Sequence, residues 1–155
     1  MYGLLAVFIG GGIGAGLRFL VSDLLGNFGL SYEATFFVNV LGCLFLGFVS
    51  YVAIAKDDFH PNLKSFLTTG IAGGFTTFST FGLEVYNLII SHQALVGITY
   101  LLMSIFVGLF ATMIGMISAK RYLAFENELV LQEEVVEEFD ENLEEENDLE
   151  LAVRD

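Results

Sequence analysis

Tryptophan is absent from this 155-residue sequence, cysteine and proline occur once each, and only 16% of the residues are charged. A single cysteine, Cys43, cannot form an internal disulfide, and inside an apolar run it reads as a small packing residue. It carries no redox information. The only histidines, His60 and His92, fall in predicted loops with no nucleophile paired to them in a recognisable motif, and no phosphate-binding GxxxxGK(S/T) occurs. The residues therefore argue against an enzyme. Six Lys and Arg side chains form no basic patch that would point to nucleic acid.

What the chain has instead is apolar surface: 55% of its residues are hydrophobic and its mean hydropathy is +0.69. That is too apolar for an ordinary soluble domain of this length. A bilayer core asks for about 20 apolar residues per helix, and four stretches satisfy this, at about residues 4–25, 33–55, 65–90 and 95–119. An all-α integral membrane protein of four spans is the expectation. The first stretch lacks a basic start and carries Arg18 within its apolar run, so it is expected to remain as a span rather than leave as a signal peptide. Tyr2, Tyr32, Tyr51 and Tyr122 fall near predicted span ends, as interfacial aromatics do, and Pro61 falls in the loop between spans two and three.

The formal charge of −13 belongs to one end. Residues 1–125 balance Arg18, Lys56, Lys64, Lys120 and Arg121 against five acids, whereas residues 126–155 set fourteen acids against Arg154 alone. Two regions follow: a transmembrane domain over 1–125 and an acidic tail over 126–155. Composition reads the tail as a disordered extension or a solvated helix. The alternative is an amphipathic partner-binding helix that uses Val136, Phe139 and Leu143.

Polar groups inside the spans are few, and each asks for a reason. In span one, Gly10 and Gly14, and Gly12 and Gly16, make two overlapping GxxxG pairs of the kind that lets helix backbones approach closely. Arg18, well inside the same span, would cost at least about 2.5 kcal/mol on insertion scales unless it snorkels or finds partners. Asn39 in "TFFVNVLGCLFLG" offers donors and an acceptor that are costly to leave unpaired in hydrocarbon. It reads equally well as an interhelical hydrogen bond or as a neutral donor lining a polar pathway.

The densest cluster lies in span three, where "GGFTTFSTFGLE" interleaves Thr76, Thr77, Ser79 and Thr80 with Phe75, Phe78 and Phe81. Hydroxyls in membrane helices usually bond back to a carbonyl one turn earlier, which accounts for one or two of them. Four within five residues is more than that role needs. With Gly73 and Gly74 just before them, the stretch is expected to leave regular helix midway through the membrane, where freed carbonyls suit a small hard cation. Phenyl rings have positive edges, so Phe78 and Phe81 presented edge-on can meet an anion without a formal charge that would trap it. In span four Tyr100 and Ser104, spaced i and i+4, share a face and extend a line of hydroxyls.

Taken in order, "GGGIGAGLRF", "TFFVNVLG" and "GIAGGFTTFSTFGLE" resemble the CrcB/Fluc family of fluoride channels over about residues 3–122. The resemblance implies an antiparallel, dual-topology dimer with two narrow fluoride pathways, through which toxic fluoride leaves the cell passively. It implies that Asn39 stands at the pore amide, that Phe78 and Phe81 are the pore phenylalanines, and that Thr80, Tyr100 and Ser104 are hydroxyls along the pathway. Arg18 matches the arginine near the pore entrance and Glu84 the acid that follows the TTFSTF motif. The backbone carbonyls of Gly73 and Thr76 match those that hold a structural sodium ion at the dimer centre. One departure is Gly108, which stands where a further hydroxyl one turn beyond Ser104 is looked for. The implied setting is the plasma membrane.

Lys56, Lys64, Lys120 and Arg121 fall on one side of a four-span chain, against at most Arg18 on the other, so the termini and the acidic tail are expected in the cytoplasm. An identical antiparallel subunit of true dual topology should be nearer balance, so the bias points to pairing with an oppositely inserted paralogue. The competing reading is a small proton- or sodium-coupled multidrug exporter, for which Glu84 is the only membrane-embedded carboxylate. Its neighbours do not support that role, and the absence of Trp argues against a roomy aromatic drug pocket. An assembly subunit that transports nothing would use the glycine faces and the tail, but leaves the Asn, Phe and hydroxyl set unexplained.

Overall fold

The computed structural model describes residues 2–56 and 58–154, the side chains of 138 and 140–154 excepted, and every regular element in them is helical. Helix α1 (Tyr2–Gly26) and helix α2 (Ser31–Ala55) are uninterrupted: neither contains proline, and both are predominantly apolar. Between them the chain reverses through Gly29, whose φ of 76° is a left-handed conformation that costs glycine little. The Leu30 N–H closes that turn on the Leu25 carbonyl at 3.1 Å.

Among the described residues three helices are long and apolar enough to cross a membrane: Tyr2–Gly26, Ser31–Ala55 and the segment Ala94–Glu137 of the last helix. The remaining expected span, the third at 65–90, is helical but divided. It consists of α3 (Pro61–Ser65), a π-helical stretch Phe66–Ala72, the single turn α4 (Gly73–Phe75) and α5 (Ser79–Ile90). Pro61 opens α3 at a position where its missing N–H costs nothing, and His60 caps it by accepting the Asn62 N–H on Nδ1. The widened π turns are unusual over seven residues, and such turns recur at functional sites. A turn through His92, with φ 62°, leads to α6 (Ala94–Arg154).

The chain forms two compact units, Met1–Lys120 and Arg121–Asp155. In the first, glycines decide which backbones touch. A Cβ built on Gly10 would lie 3.0 Å from the Gly70 Cα, and one on Gly14 would strike the Ile71 carbonyl, so α1 lies directly against the π-helical stretch and α4. Gly74 meets the Gly11 carbonyl in the same way, while Gly47 of α2 faces the Thr112 backbone of α6 and Gly115 faces the Leu44 carbonyl. Close backbone approach of this kind is how small residues hold membrane helices together. Gly12 and Gly16 have nothing within 4 Å, so the second GxxxG pair of α1 faces away from the rest of the chain. The core is thin and aliphatic, centred on Ala34, Val38, Ala72 and Ala111.

In the second unit the described residues are helical and carry exposed apolar side chains, among them Leu129, Val136 and Phe139, between acidic ones. The Leu143 side chain lies outside the described residues.

Candidate functional site

The helix expected to break does so at Thr76–Phe78, three residues beyond the start of the two glycines. Gly73 and Gly74 are still helical; Gly74 packs closely against the Gly11 carbonyl of α1, whereas a Cβ on Gly73 would meet nothing within 4 Å. Thr76 ends the turn by sending both its N–H and its hydroxyl to the Ala72 carbonyl, each at 2.9 Å, and then swings to an extended ψ of 158°. From that point the chain must satisfy its polar backbone groups without helical partners.

Side chains from the neighbouring helices supply those partners. Asn39 of α2 grips the Thr77 peptide from both sides: Oδ1 accepts the Thr77 N–H at 2.8 Å and Nδ2 donates to the Thr77 carbonyl at 3.0 Å. The donor and acceptor of that peptide fix the amide's orientation. Arg18 of α1 donates to the Thr76 carbonyl at 3.2 Å, so the span-one arginine is directed at the break itself. Thr77 accepts the Thr80 N–H on its hydroxyl oxygen at 3.2 Å and donates its own proton to the Thr80 hydroxyl at 3.0 Å. Helix α5 restarts from that cap.

Beside the break lies a cavity of about 360 Å³. Asn39, Gly73, Thr76, Phe78, Phe81 and Ser104 all line it, and so does Thr77. Residues from α2, from both sides of the break and from α6 thus converge on one space. Phe81 is buried, whereas Phe78 is 85% exposed; their ring centroids are 6.1 Å apart. Phe81 also meets the Tyr100 ring in an edge-to-face arrangement at 5.2 Å. The Ser104 hydroxyl is buried at the atom level and has no hydrogen-bond partner in the protein. A buried donor without a protein partner is expected to have one in water or a ligand.

Four expected residues, Arg18, Thr80, Glu84 and Tyr100, do not line the cavity but connect to its wall. Tyr100 donates to one Glu84 carboxylate oxygen at 2.8 Å and Thr35 to the other at 2.7 Å. With both oxygens engaged, Glu84 ties α2, α5 and α6 together. Gly108 faces the Cys43 sulfur, 3.4 Å from where a Cβ would stand, so the thiol occupies the direction in which a further hydroxyl is looked for.

Two residues escape the sequence reading. Thr77 differs from the neighbouring hydroxyls only through its contacts, since sequence does not tell which of four adjacent hydroxyls turns inward. Thr35 lies at the start of α2, far in sequence from the acid it holds.

The carbonyls expected to hold a cation can be tested on this geometry. The Thr77 N–H, ordinary helical partner of the Gly73 carbonyl, is turned to Asn39, and the Thr80 N–H, ordinary partner of the Thr76 carbonyl, is turned to Thr77. Both carbonyls are thus released from the helical ladder. Thr76 accepts from Arg18 but keeps a second lone pair, and neutral carbonyl oxygens are the donors a hard cation takes. The residues fit sodium in donor type. Among the described residues no group of His, Cys, Asp or Glu is placed to hold a metal.

Comparison with known proteins adds a second line. The family model described as CrcB-like protein, Camphor Resistance (CrcB), matches residues 5–116. A relative from Methylobacillus flagellatus named "Fluoride-specific ion channel FluC" is 40% identical over 120 residues, covering 74% of this chain and 92% of the relative. Relatives of the same name from Flavobacterium psychrophilum and Aquifex aeolicus are 40% and 39% identical over 114 residues, each covering 72% of this chain and 92% of the relative. All three cover far more of themselves than of this chain.

Proposed function

Because the chain belongs to the CrcB family, whose relatives are named fluoride-specific ion channels, we propose that it is a multi-pass membrane channel selective for fluoride and not an enzyme. The observation that carries this reading is the convergence of Asn39, Phe78, Phe81 and Ser104 on one cavity beside a broken helix. These groups share one chemistry: neutral donors and ring edges, with no formal charge to trap an anion.

The pathway runs past Asn39, Phe78, Phe81, Thr80, Tyr100 and Ser104, with Arg18 near its entrance and Glu84 bracing the helices that form it. Asn39 spends Oδ1 and one N–H on Thr77, which leaves one N–H for the ion. Ser104 contributes a hydroxyl with no protein partner. Phe81 is held by Tyr100 at a fixed tilt, so its edge is presented without rearrangement. The divided segment 61–90 completes a fourth pass of the membrane.

One chain would supply two carbonyls to the ion, from Gly73 and Thr76. A second, antiparallel subunit supplies two more, and a structural sodium ion between them closes a dimer with two pores. Sodium would there contribute fixed positive charge at the dimer centre. The exposed Phe78 and the open Gly12 and Gly16 face of α1 suit such a partner, whether identical or an oppositely inserted paralogue. The protein belongs in the plasma membrane with its acidic tail, residues 126–155, in the cytoplasm.

The reading is tested by fluoride and chloride efflux from liposomes that hold the purified protein, beside Asn39→Asp and Phe81→Ile. Fast fluoride efflux with little chloride, reduced at least about a hundredfold in both variants, is the expected result. Equal fluoride and chloride flux would overturn it.

A further inference from the structure

Thr77 is the most heavily engaged side chain at the break, and neither its residue type nor its spacing distinguishes it from the threonine before it. It is 8% exposed, and every polar group it has is used. Its N–H and carbonyl are held by Asn39, its hydroxyl oxygen accepts the Thr80 N–H, and its hydroxyl proton goes to the Thr80 oxygen. Thr76 differs: its hydroxyl folds back to the Ala72 carbonyl, the ordinary habit of threonine in a helix.

The direction of the Thr77 to Thr80 bond has a chemical consequence. A hydroxyl has one proton and two lone pairs. Thr77 fills an acceptor site on Thr80, and the proton of Thr80 is therefore free to point elsewhere. An anion is bound only by donors, so a hydroxyl held in this way is presented with the polarity an anion needs. The same oxygen of Thr77 also caps the first turn of α5, and Asn39 fixes the peptide that leads into it. Phe78 is the next residue and Phe81 lies one turn on, so the azimuth at which α5 restarts sets where both rings stand.

We propose that Thr77 is a positioning residue of the ion pathway, orienting Thr80 as a donor and setting the restart of α5, and this rests on the channel reading above. Asn39 then has two separable roles, one N–H toward the ion and a grip on Thr77. Thr77 accounts for the second.

The test uses the full chain in liposomes and compares Thr77→Val, which keeps the shape and removes the hydroxyl, with Thr77→Ser, which keeps the hydroxyl. Fluoride efflux is expected to fall about tenfold in Thr77→Val and to stay within about twofold in Thr77→Ser, because only the first removes the cap. Exchange of the Thr80 amide, followed by NMR, is expected to speed up in Thr77→Val alone. A third variant, Thr77→Val with Thr80→Val, is expected to lose less than the product of the two single losses, since part of what Thr77 does runs through the Thr80 hydroxyl.

Wild-type flux retained in Thr77→Val overturns the proposal, and so does additive loss in the double variant. If Thr77→Val does not fold, Thr77→Ala replaces it in the same comparison. Absence of flux in the wild type, both alone and with an oppositely inserted relative, overturns the channel reading itself and is distinguished from these outcomes, because the Thr80 exchange rates are measured without any ion.

Discussion

Glu84 and Tyr100 show how much one hydroxyl contributes at the residue scale. The Tyr100 hydroxyl reaches the carboxylate of Glu84 at 2.8 Å while Thr35 holds the other oxygen at 2.7 Å, which joins three helices through one side chain. Tyr100→Phe removes the donor and leaves a partly buried carboxylate oxygen short of a partner. The expected cost is about 1–3 kcal/mol in unfolding free energy, measured by thermal or denaturant unfolding in detergent. Thr35→Val is expected to cost a similar amount, and the double variant more than either. A Tyr100→Phe variant as stable as wild type would mean the bond is dispensable. Sequence reading reached Tyr100 and Glu84 separately, one from helical spacing and one from a motif. It did not join them, because a pair 16 residues apart on different helices is visible only after the turn through His92 brings α5 and α6 together.

At the scale of the element, the divided segment 61–90 is where sequence and structure part. Hydropathy averages over a window, and a π turn or a three-residue break changes the path of the backbone without changing that average. Its existence was legible from four hydroxyls in five residues; its place was not. Of the two glycines that invite a break, Gly74 is used instead for contact, against the Gly11 carbonyl, and the chain opens after both of them at Thr76. The two GxxxG pairs of α1 likewise read alike and do different things. A methyl group on Gly14 would meet the backbone of Ile71 and Phe75, whereas one on Gly12 meets nothing within 4 Å. Gly14→Ala is therefore expected to destabilise the fold by about 1–3 kcal/mol through overpacking. Gly12→Ala is expected to leave unfolding of the single chain within about 0.5 kcal/mol of wild type. Unfolding measured in detergent under conditions that keep the chain monomeric checks both, and equal losses would show that the two faces are not distinct. An effect of Gly12→Ala confined to association would mark the open face as the one a partner covers.

At the scale of the whole molecule the remaining question is which way the chain enters the membrane. In the four-pass reading proposed above, Lys56, Lys64, Lys120 and Arg121 fall on one side, and Arg18 is the basic residue to weigh against them. Its guanidinium donates to the Thr76 carbonyl at 3.2 Å, so it is turned toward the protein rather than out to the opposite interface. A charge committed in this way counts little toward orientation, and the balance moves from four against one toward four against none. The fourteen acids of the tail do not offset this, because orientation follows Lys and Arg near the spans rather than net charge. The chain is therefore expected to insert predominantly with its C-terminus in the cytoplasm. A reporter fused there that is active only in the cytoplasm should give a strong signal, and one active only outside should give little. Equal signals on both sides would refute the bias and leave an identical antiparallel partner as the simple solution. With the bias present, efflux from liposomes should rise above that of this chain alone when an oppositely inserted relative is supplied. That contrast separates a partner that is the same chain from one that is not.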